Sequence, residues 1–224
     1  MASLPELKID NPFWTFMGKL GDLVLLNLLW LLTCLPIVTI GSATTALHYV
    51  ARKMAAGETY RVFGDFLFSF RENWKEATKL WLAMLGVLIL SVADFISGLL
   101  TAGAAGSLFR GIGICLLVLW LLTAGYCFPM LARYRQSAKQ IFLLSFSMML
   151  RSPAVTVCYA LLAALMPVLF FAAPELFAWL LFPWALIFGA LYAWLMAFLL
   201  IPLQRKLEQN GGNDHVDTET ETGL

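Results

Sequence analysis

Apolar runs of lipid length alternate with short basic connectors along this chain. The runs at residues 20–35, 80–100, 111–131, 153–173 and 176–202 are nearly free of charge. A membrane-crossing helix needs about 20 predominantly apolar residues, so these five read as spans. Between the first and the second the pattern changes. Pro36 removes a backbone donor and ends the first run, while Gly41 and Ser42 offer a new helix start. Residues 43–56 (ATTALHYVARKMAA) then read as a helix whose neighbours Ser42, Thr44 and Thr45 are too polar to face lipid. Packed among helices, residues 37–53 form a short sixth span or a re-entrant leg, because irregular backbone at membrane depth must be enclosed by protein.

The connectors are amphipathic. Over 59–79, Phe63, Phe66, Leu67, Phe70, Trp74 and Ala77 recur at helical spacing, opposite Arg61, Asp65, Ser69, Glu72 and Glu76, with Phe68 as the exception. A helix of this kind lies in the membrane interface or docks on a partner, which makes Phe66, Phe70 and Trp74 a candidate partner surface. A second connector covers 132–152, and its FLLSF (142–146) echoes FLFSF (66–70) as a weak internal repeat. At the start, Phe13, Trp14 and Phe16 suit the headgroup layer. With no short apolar core and cleavage site before it, the first helix is expected to stay as a signal anchor. Residues 1–203 thus form a single transmembrane domain, and the polar, Gly-containing, acidic stretch 204–224 reads as a disordered cytoplasmic tail.

Composition agrees with this class. The chain is 61% hydrophobic and 13% charged, with a mean hydropathy of +0.81, whereas soluble domains carry about 25% charged residues. The net charge of +1 offers no basic surface for nucleic acid. Charge placement is more informative than charge total. With five spans the side holding the C-terminus carries most of the Lys and Arg. With the sixth, it takes all of the 15 except Arg110 and both termini are cytoplasmic. The second arrangement is preferred, and either one places both amphipathic connectors and the C-terminus in the cytoplasm.

Candidate chemistry is sparse. Cys34, Cys115, Cys127 and Cys158 all lie in apolar runs without a CxxC pair and read as small hydrophobes. The densest polar set is Asn27, Thr33, Thr39, Ser42, Thr44, Thr45, His48 and Tyr49. Asn27, Thr44, Thr45 and His48 could line a polar cavity around the broken helix over 36–49, as broken helices do in transporters. Equally, they could satisfy backbone freed at Pro36 and tie helices together. Asp94 is the one carboxylate in the long runs at 80–100 and 111–131. It lies 15 residues past Lys79, or about 22 Å along a helix, which favours an interfacial or Arg110-paired place over an ion site. Ala185, Gly189, Ala193 and Ala197 repeat every fourth residue, a small-residue face for close helix packing within the chain or between protomers. No phosphate loop, zinc-protease or nucleophile-elbow motif occurs. No enzyme activity, cofactor or metal is expected.

The run NLLWLLTCLPIVTIGSATTALHYVARKMAAGE followed by DFLFSFRENWKEATKL resembles the YesL-like family of bacterial integral membrane proteins. Its specific letters lie in residues 27–80. That family has no established activity and no agreed catalytic residues, so no site residue carries over. Its members are often encoded beside sugar-uptake genes, which implies an accessory or interaction role in carbohydrate uptake, with sugar ABC-importer subunits as partners. The cytoplasmic loops lack the Glu-Ala-Ala…Gly signature by which importer permeases dock their ATPase. The alternative is a small-molecule transporter or channel using the broken helix around Pro36 and Tyr49. The lipid bilayer is a partner in both, and a homo-oligomer is compatible with either.

Overall fold

The computed structural model describes residues 12–134 and 136–221, apart from the side chains of residues 12, 13, 15, 163, 166, 167, 171, 181–185 and 206–221. Every regular element in them is helical. The order is α1 (Pro12–Cys34), a 3-10 turn (Ile37–Thr39), α2 (Ile40–Ala56), α3 (Val62–Leu100), α4 (Gly103–Arg133), α5 (Ala138–Arg151), α6 (Pro153–Ala172) and α7 (Pro174–Glu221). The all-α bundle expected from the sequence is what forms. Within α1, α3, α4 and α7 lie four stretches long and apolar enough to cross a membrane, and α5 with the start of α6 makes a fifth candidate bent by 101°. The bend falls at Pro153, which opens α6 because it has no N–H to continue α5.

The expected short sixth element is α2, beginning three residues after the 37–53 estimate because residues 37–39 wind as a 3-10 turn. It is not one of the apolar spanning candidates. Ten of its 17 residues are buried, so it is an internal helix wrapped by others. Trp30 reaches Thr44 across the break, which makes α1 and α2 an antiparallel hairpin. The helix ends at Gly57, whose left-handed φ of 69° lets the Glu58 N–H close on the Lys53 carbonyl at 3.0 Å.

The main departure from the sequence reading concerns α3. Residues 59–79 were expected to form a separate helix in the interface plane, yet from Val62 they continue unbroken into the apolar run to Leu100. No proline interrupts these 39 residues, and at ~1.5 Å per residue they extend about 58 Å. The two halves of α3 have different partners. The first runs antiparallel to α2, with Lys53 Nζ on Asp65 Oδ2 at 2.9 Å at one end. At the other end Gly41 lies against Ala77, and Trp81 Nε1 donates to the Ile37 carbonyl at 2.8 Å. The second half runs antiparallel to α4. Trp120 Nε1 donates to the Met84 carbonyl at 2.7 Å, Ser91 Oγ donates to the Gly113 carbonyl at 2.7 Å, and Gly98 abuts Gly106.

Two buried clusters hold these halves. One gathers Leu23, Leu26, Ala46, Leu47, Val50, Phe66 and Ala193 from α1, α2, α3 and α7. The other gathers Leu80, Met84, Tyr126, Met130, Ile141, Met148 and Met196 from α3, α4, α5 and α7. The FLFSF/FLLSF echo is only partly structural. Ser69 and Ser145 are both fully buried, but Phe66 is buried while Phe142 is 44% exposed. Beyond Gln204, α7 continues as helix to Glu221, through the stretch whose composition predicts disorder.

Gly41 is the tightest point between α2 and α3. A β-carbon there would meet the Ala77 carbonyl, which is backbone, and the Trp81 β-carbon at 2.6 Å. Gly41→Leu is therefore expected to destabilise the folded protein by about 1–3 kcal/mol, read as a lowered midpoint of thermal unfolding in detergent. Gly86→Leu, at a position with nothing within 4 Å, should leave that midpoint unchanged.

Candidate functional site

Pro36 and the turn after it interrupt the hydrogen bonding of α1 at an exposed break, and several polar side chains on either side of it bond to nearby backbone carbonyls. Thr39 Oγ1 donates to the Thr33 carbonyl at 2.6 Å and lies 2.8 Å from the Pro36 carbonyl. Ser42 Oγ donates to the Thr39 carbonyl and Thr45 Oγ1 to the Gly41 carbonyl, each at 2.9 Å. Thr33 Oγ1 turns back onto the Leu29 carbonyl at 2.8 Å. Thr44 Oγ1 accepts from Trp30 Nε1 at 3.2 Å. Buried polar groups need such partners because an unpaired one loses its water without replacement.

Of the four residues predicted to share a cavity, His48 lines the void described below, and the other three are hydrogen-bonded to neighbouring groups. Asn27 is buried between α1 and α7, where its Oδ1 accepts the Ala190 N–H at 3.0 Å. Thr44 and Thr45 bond as above. His48, 6% exposed, sits edge-on to Tyr192 at 6.4 Å between centroids. Beside His48 is a void of about 10 Å³, lined also by Arg52, Pro129, Ala197, Leu200 and Gln204. That is room for about one water, and the buried Arg52 Nε, which has no protein partner, adjoins it. Arg52, Gln204 and Tyr192 are the members of this seam that sequence reasoning missed. Their only signal was polarity at helix ends or within an apolar run, which many surface residues share. At the open end of the hairpin, Tyr60 donates to Asp22 Oδ2 at 2.7 Å. Burial first, then that carboxylate, pushes the Tyr60 phenol up to about 12.

The predicted partner surface is split. Phe66 is wholly buried and stacks on Phe70 at 6.3 Å, so both face inward on the α2 cluster, whereas Trp74 is 47% exposed. The buried face of α3 is rotated from the pure apolar stripe and includes Ser69, on whose carbonyl and hydroxyl Asn73 closes. α2 presents small side chains, so it accepts a serine where lipid would not. The rotation leaves Phe63 and Phe68 outward, flanking an open groove of about 600 Å³ with Leu67, Arg71 and Glu72. The two connectors also meet, since Glu76 Oε2 accepts the Ala138 N–H at 2.9 Å.

In the small-residue stripe of α7, Ala185 lies outside the described residues. Gly189 faces Asn27 and Trp30, Ala193 is fully buried in the α1–α2 cluster, and Ala197 adjoins His48. These three positions pack within the chain. Arg110 donates to Ser107 at 3.1 Å and makes no ion pair with Asp94 among the described residues, so of the two places expected for Asp94 the pairing with Arg110 is not formed. No three His, Cys, Asp or Glu side chains among the described residues are grouped as metal ligands.

A family model described as "Protein of unknown function, DUF624" matches residues 23–95, the segment from α1 through α2 into α3. The chain is similar to the uncharacterized protein YesL of Bacillus subtilis (strain 168), with 26% identity over 153 residues that cover 67% of this chain and 71% of that protein. No solved structure matches. The resemblance read from residues 27–80 holds in both comparisons, and the matched region is the helical unit built around the break.

If the seam is a structural tie, Asn27→Ala weakens the α1–α7 contact by about 1 kcal/mol. That is measured as a lower midpoint in detergent unfolding. An unchanged or raised midpoint would show that Asn27 is held there at a cost, as functional residues often are.

Proposed function

We propose that this YesL-like multi-pass membrane protein is a non-enzymatic accessory component that docks a subunit of a sugar importer of the ATP-binding-cassette type on the first half of α3. The observation that carries the reading is the outward aromatic row. Phe63, Phe68 and Trp74 are 58%, 49% and 47% exposed on a helix half that also bears Arg71, Glu72 and Lys75. A helix of about 58 Å exceeds the ~30 Å hydrocarbon layer, and most of its charges fall within residues 62–79. Aromatic side chains beside a charged groove suit a protein interface, where such residues commonly anchor binding. Phe66 and Phe70 stand behind this surface and hold it against α2.

Orientation supports a cytoplasmic location for it. With five spans, 12 of the 15 Lys and Arg fall on the side that holds the C-terminus, as basic residues favour the inner side. The link to carbohydrate uptake is supported by the genomic company of YesL-like proteins. The transport alternative is less well supported, because the hydroxyls near the break are bonded to backbone and the void at His48 holds about one water.

Mild-detergent purification from native membranes, with mass spectrometry of co-purifying chains, tests the proposal. Sugar-importer subunits should accompany the wild type and be lost from the triple variant Phe63→Ala, Phe68→Ala, Trp74→Ala. Recovery of a clean homo-oligomer, or of the same subunits with the triple variant, would contradict it.

A further inference from the structure

An apolar groove of about 520 Å³ lies between α3, α4 and the start of α5, further along α3 than the groove beside Phe63 and Phe68 and with no lining residue in common with it. Its floor is Met84, Val87, Leu116, Leu119 and Trp120, and its mouth holds Lys79 and Lys139. The volume falls in the range of small-molecule sites, ~300–1,000 Å³. The position of the two lysines gives the groove a direction. Lys79 is the last charged residue before the apolar half of α3, so the mouth sits where that helix enters the hydrocarbon and the floor runs inward from it. Val87 is eight residues further on, about 12 Å deeper along the helix.

The charges at the mouth are unequal. Glu76 has a partner on each oxygen: Oε1 takes Lys79 Nζ at 2.6 Å and Oε2 takes the Ala138 N–H at 2.9 Å. Lys139, one residue into α5, makes no ion pair among the described residues. With two lysines and one carboxylate the mouth keeps one net positive charge, beside the positive end of a 14-residue helix. We infer that this groove binds an anionic phospholipid, its phosphate held by Lys139 and Lys79 and one acyl chain laid along Val87, Leu116, Leu119 and Trp120. Basic pockets between membrane helices on the cytoplasmic side hold anionic headgroups in this way. A free phosphate would leave the apolar floor unfilled, and a soluble peptide would have to enter the hydrocarbon to cover it. The site is independent of the importer contact, since Phe63, Phe68 and Trp74 do not line it.

Native mass spectrometry of the full chain in mild detergent, titrated with phosphatidylglycerol or phosphatidylcholine of matched acyl chains, tests this. Phosphatidylglycerol should be retained more tightly, with selectivity falling about fivefold for each lysine removed in Lys139→Gln and in Lys79→Gln/Lys139→Gln. Lys139→Gln leaves the Lys79–Glu76 pair in place, so it separates lost binding from lost fold. Ala83→Phe, which fills the groove and keeps both lysines in the chain, should abolish retention of both lipids. Inorganic phosphate should displace neither. Equal retention of the two lipids by the wild type, undiminished selectivity in the double variant, displacement by inorganic phosphate, or a second copy of the chain occupying the groove would each overturn the inference.

Discussion

A helix break inside a membrane bundle imposes one demand above all: the backbone it frees must find partners among protein groups. Here residues 35–38 of the break are exposed, and it is α2, directly after them, that the bundle encloses. Thr33 and Thr39 bond the Leu29 and Thr33 carbonyls, Ser42 and Thr45 of α2 bond those of Thr39 and Gly41, and Trp81 of α3 bonds that of Ile37, while the small residues of α2 let α3 and α7 close over it. Gly41 against Ala77 sets how near α3 comes, and Lys53 with Asp65 fixes the far end of the same pair. The serine and threonine side chains involved are short, so little conformational freedom is lost in ordering them.

Enclosing α2 has a consequence for α3. Antiparallel pairing along residues 62–81 holds the charged half of α3 in line with its apolar half, so a single rod carries both a lipid-facing and a water-facing surface. The aromatic row and the lysine-capped groove then lie on one rod, above and below the point where charge gives way to hydrocarbon. The second connector has no such partner at its end. Pro153 opens α6 there, and α5 turns by 101° to lie against α3 and α4. Two connectors of similar composition thereby reach different geometries.

Much of the bundle was legible in the sequence. Five lipid-length runs, the Pro36 break and the small-residue face of α7 are statements about hydropathy and volume, and each has its counterpart in the helices. What failed was anything that required knowing a neighbour. Phe66 and Phe63 are alike in composition and periodicity, and only the presence of α2 on one side makes the first core and the second surface. Ser69 read as solvent-facing because serine in isolation prefers water, yet α2 takes it in. His48 and the threonines read as a cavity or as ties with similar weight, and hydrogen-bond geometry separates the two. The groove at Lys79 and Lys139 was invisible because its residues come from three helices, with no spacing in the sequence to connect them.

The continuity of α3 carries the rest, and a distance decides it. With the native cysteines replaced, spin labels at the exposed positions Phe63 and Leu99 are measured by pulsed electron resonance with the protein in lipid nanodiscs. One straight helix across these 36 residues separates the labels by about 54 Å at ~1.5 Å per residue. A distribution centred near that value would confirm that pairing with α2 holds the connector upright. A connector lying flat in the interface, turning at a right angle near Lys79, would shorten the distance to about 38 Å on the same rise and contradict it.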